Sequence, residues 1–463
     1  MYFYALLEKA LFMEATVMKY IPESSEIHKE IDTFFSRSIP SSIPEANCGL
    51  GNPLSEIELR RYFNTLAQAN EGACMLSFLG GGAYDHYIPS IIPVLAARSE
   101  FLTSYTQYQP ELSQGMLQAL FEYQNMIAEL LCMDVVNASM YDVASALAEA
   151  VLMAMRIHGG KKQHVLLSPY IRRADTRVVA TYCGAGAGLL MSFLPRKGDG
   201  TTMLDVLEKI PVDNNVACVV FQNPNCFGIL ENLEGISEIL AKRTILFILS
   251  TYPLALGIIK TPGELGADIV VGDTQSLGIP LGFGGPYAGI FSAKAEFVRQ
   301  MPGRLVGETV DAEGRRAYTL TLNSREQHIR RGQATSNICT NQALCALMSA
   351  IYLTAMGKEG MREVARQCTA KAHYLAKRIL GCRLFGLKFS APFFNEFLVK
   401  TNLPTMGIQE VLEKRGILAL FRNPSCNIPK NTFLVAVTEK RTKEELDFLV
   451  ETLQEIQDEN TAL

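Results

Sequence analysis

The sequence predicts an α/β protein: a large domain built on a mostly parallel central sheet, followed by a smaller C-terminal α+β domain. Three observations carry this. The apolar runs ValAlaCysValValPheGln (216–222), IleLeuPheIleLeuSer (245–250) and IleValVal (269–271) have strand length, and the first two flank a helical segment near 232–242. Strands that are apolar throughout and alternate with helices belong to a parallel sheet covered on both faces. Past Thr335 the texture changes to long helices and then to β-rich runs, and 463 residues suffice for two or three domains. The boundaries read from composition are an N-terminal extension and helical arm over 1–76, the large domain over 77–335 and the C-terminal domain over 336–463.

Residues 24–70 are amphipathic with a proline- and serine-rich break at 39–54, and Ser55 with Glu58 has the spacing of a capping box. Residues 77–123 are rich in glycine, tyrosine, proline and glutamine, a composition that wraps over other elements. Helices are predicted over 113–131 and 143–158, and strands at His164–Leu167, 268–272 and 318–322. A long helix ends at Gly357 and a second spans Gly360–Leu380. The runs 393–399 and 432–437 are read as antiparallel strands, and Thr442 with Glu445 caps a final helix, Lys443–Gln457.

The bulk numbers exclude several function classes. A net charge of −4 leaves no basic footprint for nucleic acid. No run approaches the roughly 18 apolar residues of a membrane span. With 48% hydrophobic and 19% charged residues, the apolar balance points to surface covered by another subunit. The 11 cysteines are scattered without a CxxC pair, Cys339 and Cys345 being the closest two, and the 6 histidines form no HExxH. Reduced thiols, a cytoplasmic location and no metal site are therefore expected. The N-terminus lacks the basic stretch and small-residue cleavage site of a secretion signal.

The chemistry concentrates where the 268–272 strand empties into a turn with Gly272, Gly278, Gly282, Gly284 and Gly285. A strand end opening into a glycine-rich loop is a usual ligand site in α/β enzymes, and such loops can supply a lysine that condenses with a carbonyl cofactor. Here Gln275 stands in that region, and no lysine occurs between Asp268 and Pro286. Ser139-Met140-Tyr141-Asp142 opens the 143–158 helix; such a start suits a phosphate, but Asp142 would repel an anion, so plain capping is expected. Arg325-Glu326-Gln327-His328-Ile329-Arg330-Arg331 is either a solvated charge run or, beside the uncharged AlaThrSerAsnIleCysThrAsn (334–341), a buried or interfacial anion-holding loop with His328 as proton shuttle. Tyr84-Asp85-His86-Tyr87, led in by Gly80-Gly81-Gly82, and Tyr105 to Glu111 read as an interface or a pocket wall.

Taken together, PheLeuGlyGlyGlyAlaTyrAspHisTyrIlePro (78–89), SerGluPheLeuThrSerTyrThrGlnTyrGlnProGluLeuSerGlnGly (99–115) and ArgGluGlnHisIleArgArg with AlaThrSerAsnIleCysThrAsnGln closely resemble the glycine cleavage system P-protein family, and within it the N-terminal-half subunit of the split enzyme (subunit 1). The resemblance runs from about Met18 to Ile456. It implies a pyridoxal-phosphate-dependent transferase fold of type I. It implies a second, homologous subunit 2 that carries the cofactor lysine, with Gln275 near the place of that lysine here and no cofactor bound covalently to this chain. It implies an enzyme that decarboxylates glycine, with the cofactor ring as electron sink, and passes the aminomethyl group to the lipoyl arm of H-protein. It makes Tyr105, Tyr108, Gln109 and Glu111, with His328, Arg330 and Arg331 behind them, candidates for the active-site interface, and Tyr105→Phe a change expected to slow decarboxylation without dissociating the complex.

Three positions depart from the family pattern. Tyr252 stands before Pro253 where relatives of this subunit commonly have aspartate, the usual partner of the cofactor ring nitrogen. Val143-Ala144-Ser145 replaces GlyProThr at the helix start that would hold a phosphate. Relatives begin near Met18, so residues 1–17 are expected to be dispensable for assembly. Two other readings remain: a free-standing pyridoxal-phosphate enzyme using another lysine, such as Lys260 or Lys294, and a diverged, non-catalytic assembly or regulatory subunit.

Overall fold

The apolar runs become the centre of a seven-stranded sheet among the described residues. In chain order its strands are β1 (Val135–Val136), β2 (His164–Leu167), β3 (Leu190–Phe193), β4 (Val216–Asn223), β5 (Leu246–Thr251), β6 (Ile269–Asp273) and β7 (Gly289–Ala293). The spatial order is β1-β7-β6-β5-β4-β2-β3, with β7 antiparallel to both neighbours and the other pairs parallel. All of β5 and nearly all of β4 and β6 are buried, as strands covered on both faces must be. The computed structural model describes Thr33 and residues 53–104, 107–184, 188–338, 340–422 and 427–461. The readings made for the first 22 residues, for 39–52, for Tyr105 and for Cys339 lie outside the described residues.

The chain divides into two compact units, residues 1–70 and 71–463. In the first, helix α1 (Glu56–Gln68) starts on the predicted box: Ser55 Oγ accepts from Glu58 N–H and the Glu58 carboxylate accepts from Ser55 N–H at 2.8 Å. In the second, helix α2 spans Ile91–Ala96 and α3 spans Gln114–Leu131. Along α3, Leu117, Leu120, Tyr123, Ile127 and Leu131 recur at three- and four-residue steps and are fully buried. Each such aliphatic side chain contributes about 1.5–3 kcal/mol relative to exposure. Helix α4 (Val143–Ile157) is buried almost all round, because it lies between the sheet and α5 (Arg173–Gly184).

Two antiparallel strands, β8 (Leu305–Val310) and β9 (Arg316–Thr321), form a separate ribbon. Helix α6 (Ala343–Ile379) is helical through both predicted segments, and Gly357 breaks it where expected, with φ 59° and ψ −176°. Only a glycine enters that conformation without strain. Beyond it, β10 (Phe385–Leu387), β11 (Glu396–Thr401) and β12 (Thr432–Ala436) make a three-stranded antiparallel sheet under helix α7 (Lys443–Thr461). The predicted cap is present: Glu445 N–H donates to Thr442 Oγ1 at 3.2 Å and Thr442 N–H to Glu445 Oε2 at 2.9 Å. No described helix is long and apolar enough to cross a membrane.

Candidate active site

In an open α/β sheet the carboxyl ends of neighbouring strands leave a crevice. Here β4, β5 and β6 end in register, Asn223 beside Thr251 and Thr251 beside Gly272. The crevice above them is lined by Gln222, Ser250, Thr251, Tyr252, Asp273 and Gln275, with Arg172 and Tyr84 closing it. What remains is a cavity of about 30 Å³.

Gln275 is buried, and its whole carboxamide is engaged. Tyr84 N–H donates to Oε1 at 2.9 Å, while Nε2 donates to the carbonyls of Tyr84 at 3.0 Å and Ile279 at 3.1 Å. The amide thus clips the backbone of the 78–89 segment onto the strand end as a neighbouring strand would. Asp273 accepts the Gln275 N–H at 2.8 Å. Burial pushes its carboxyl up to about 7, against the opposing pull of that N–H and the Arg172 charge.

The glycine lead-in has a close-packing cause. Gly81 N–H donates to Glu396 Oε1 at 2.6 Å, and Tyr84 Oη donates to Glu396 Oε2 at 3.0 Å. A Cβ at Gly80 would lie 2.0 Å from Glu396 Oε1, and one at Gly82, whose φ is +118°, would lie 1.8 Å from Arg172 Nη1. Glu396 sits on β11, so this knot ties the glycine lead-in to the three-stranded antiparallel sheet. Burial raises its carboxyl to about 7, although Gly81, Tyr84 and Arg172 all favour the charged form.

Tyr252 points its hydroxyl at His86 Nε2, and its ring packs 5.0 Å from that of Tyr84. Desolvation holds its phenol well above the ordinary value. At the start of α4, Asp142 accepts from Ser145 N–H at 2.7 Å and Ser145 Oγ accepts from Asp142 N–H at 3.2 Å. This is the plain cap expected, with a carboxylate where an anion would have to sit. Lys260 pairs with Glu234 at 2.7 Å on an exposed edge, and Lys294 pairs with Asp268; neither lines the cavity.

Of the interface candidates, the structure brings Tyr108 and His328 together, with ring centroids 4.8 Å apart. The arginine that joins them is Arg304, buried ahead of β8, which donates to Tyr108 Oη at 3.1 Å and lies over its ring. Sequence reasoning missed it, because an isolated arginine in MetProGlyArgLeu carries no spacing signal. Gln109, Glu111, Arg330 and Arg331 are exposed, and Tyr105 lies outside the described residues. The charge run at 325–331 is two things in one. Arg325 is buried and donates to the carbonyls of Met301 and Gly303, whereas His328 to Arg331 face outward.

Residues 26–453 match the family described as Glycine cleavage system P-protein. The chain belongs to the glycine cleavage system P-protein family. It is 50% identical over 402 residues to a protein of Chlorobium limicola called probable glycine dehydrogenase (decarboxylating) subunit 1, covering 86% of this chain and 89% of that one. A protein of the same name from Moorella thermoacetica is 44% identical over 453 residues, covering 95% and 100%. A solved, inhibitor-bound glycine decarboxylase (P-protein) superposes with a TM-score of 0.87 at 43% identity, covering 95% of this chain and all of that one. A NifS-like protein at 13% identity and a TM-score of 0.63 shares the fold alone. The fold is that of the type I pyridoxal-phosphate enzymes.

Pyridoxal phosphate does not fit this P-protein chain's own crevice. The Gln275 amide that faces the crevice is already bonded to Tyr84 and Ile279. The Tyr252 hydroxyl is turned to His86, and the start of α4 is closed by the Asp142 cap. The cavity of about 30 Å³ holds little more than a water, against the roughly 300 Å³ or more of a small-molecule pocket.

Proposed function

We propose that this chain is subunit 1 of a heteromeric glycine dehydrogenase (decarboxylating), pairing with a homologous subunit that bears the lysine and the pyridoxal phosphate. The observation that carries the reading is Gln275: the residue at the cofactor-lysine place is spent on holding the backbone of Tyr84. The electron sink for loss of carbon dioxide belongs to the cofactor on the partner. This chain's share is to complete the partner's site from across the interface and to exclude water there. The aminomethyl group then leaves on the lipoyl arm of H-protein.

An apolar face supports the pairing. Ile91, Val94, Leu281, Phe283 and Leu344 are exposed around the α2–α6 contact and the glycine loop, and Ile91, Leu95, Phe101, Leu347 and Ile351 line a shallow groove. Apolar side chains left exposed beside a groove of this kind are a usual mark of a protein–protein contact surface. Tyr108, with Arg304 behind it and His328 beside it, offers polar groups for the partner's substrate or cofactor phosphate.

Co-purification with the lysine-bearing homologue, followed by glycine–bicarbonate exchange, tests the reading. Exchange is expected from the pair and from neither chain alone. Unchanged exchange without this chain would make it a regulatory or assembly protein instead. A borohydride-reducible lysine adduct on this chain alone would restore the free-standing enzyme.

A further inference from the structure

Three side chains that no linear motif connects meet beside Tyr252: His86 from the loop after the glycine lead-in, Cys368 from the second half of α6, and Glu439 from the turn between β12 and α7. One ligand atom of each lies within 4.8 Å of the other two. His86 Nδ1 is 2.7 Å from Glu439 Oε2, and Cys368 Sγ is 3.4 Å from the same oxygen. We propose that this cluster is a zinc site, with His86 Nδ1, Cys368 Sγ and Glu439 Oε2 as ligands and a water in the fourth position.

Thiolate, imidazole and carboxylate are the donors zinc takes, and the sulfur and nitrogen select against magnesium and calcium. Zinc bonds of about 2.0–2.3 Å put tetrahedral ligands about 3.3–3.7 Å apart. The Cys368–Glu439 spacing already matches, and the His86–Glu439 contact has to widen by roughly half an ångström. The ligands are enclosed: the His86 and Glu439 side chains are 3% and 12% exposed, and Cys368 is fully buried.

Two of the ligands, His86 and Glu439, are also held from behind, which is how metal sites fix orientation. Tyr252 Oη meets His86 Nε2. Tyr87 N–H donates to Glu439 Oε1 at 2.6 Å, and Lys371 Nζ donates to the Glu439 carbonyl. On binding, Cys368 releases its thiol proton to solvent, and His86 keeps one proton, on Nε2, donated to Tyr252 Oη. The divalent cation is then balanced by one thiolate and one carboxylate, so no net charge is buried. Spacing along the chain predicts no metal site, because the ligands come from three segments that only the fold brings together. On this reading the tyrosine that closes the old cofactor crevice orients a metal ligand on its other side.

The full chain, purified without chelators, is expected to carry about one zinc per chain by elemental analysis. After exchange it should show a sulfur-to-cobalt charge-transfer band with Co²⁺ that Cys368→Ser abolishes. His86→Gln is expected to weaken zinc binding by about 100-fold, and Tyr252→Phe by about 10-fold through the lost support. Absence of both stoichiometric zinc and the cobalt band in the wild-type chain would overturn the proposal, and this measurement holds even if Cys368→Ser does not fold. A band undiminished in a folded Cys368→Ser chain would place the metal on another thiol and overturn it too.

Discussion

Gln275 and Phe283 sit on one loop, yet one is 4% exposed and the other 102%. Around Gln275 three hydrogen bonds tie the loop to Tyr84 and to itself, and the neighbouring crevice is filled. Around Phe283 an aromatic ring stands in solvent on a run of glycines, beside other bare apolar side chains. The crevice at the strand ends is packed as core, and the loop's unspent apolar surface lies outside it. For the proposed half of an enzyme, the contrast assigns the parts: interior atoms serve stability, and the exposed ring is free for pairing.

The comparison breaks most sharply at Gln275. Gln275→Lys should strand the Tyr84 N–H, since lysine has no acceptor, and bury an ammonium, costing about 4 kcal/mol by denaturant unfolding. It should bring no cofactor absorbance when pyridoxal phosphate is added. A stable Gln275→Lys chain with a lysine-bound chromophore would mean the crevice is still a working site.

The buried carboxyls sharpen the same contrast through pH. The folded chain raises Glu396 to about 7, above its unfolded value, so it holds that proton more tightly than the unfolded chain does. No penalty is present below the unfolded value near pH 4.5; it grows as pH rises toward 7 and is complete above that. Glu396→Gln, which mimics the protonated acid, should therefore gain on wild type between pH 5 and 8, by about 3 kcal/mol at most. Parallel unfolding curves with no pH-dependent difference would remove Glu396 as a titrating group. Asp273 adds a change of the same sign.

Smaller effects belong to the rim. Tyr108→Phe removes the acceptor for Arg304 and should cost about 1 kcal/mol of stability in the isolated chain. In the complex it should lower exchange more than it lowers affinity for the partner. Phe283→Ala should leave the isolated chain within about 0.5 kcal/mol of wild type, because the ring touches nothing it would lose. It should weaken pairing roughly 10-fold or more by titration calorimetry. Equal effects on pairing from Phe283→Ala and from an exposed control such as Val212→Ala would take Phe283 out of the interface.

Much of this architecture is legible in the sequence because its causes are local. The runs at 216–222 and 245–250 are apolar throughout, and strands of that kind have to be covered on both faces. Ser55 with Glu58, Thr442 with Glu445, and Gly357 set helix ends and a break through the dihedrals and hydrogen bonds of a few adjacent residues. The candidate site is legible only in part, because its bonds span long separations. Gln275 stands out as a missing lysine, but its partner Tyr84 lies 191 residues away. Glu396 lies 312 residues from Tyr84, and Glu439 lies 353 from His86. Arg304 gives no pattern at all until the fold sets it against Tyr108.

The clip at Gln275 also bears on history. An amide that bonds both the N–H and the C=O of one distant residue cannot be exchanged for lysine without stranding the N–H, for which lysine has no acceptor. For the proposed division of labour between two subunits, that bond is a ratchet set by packing.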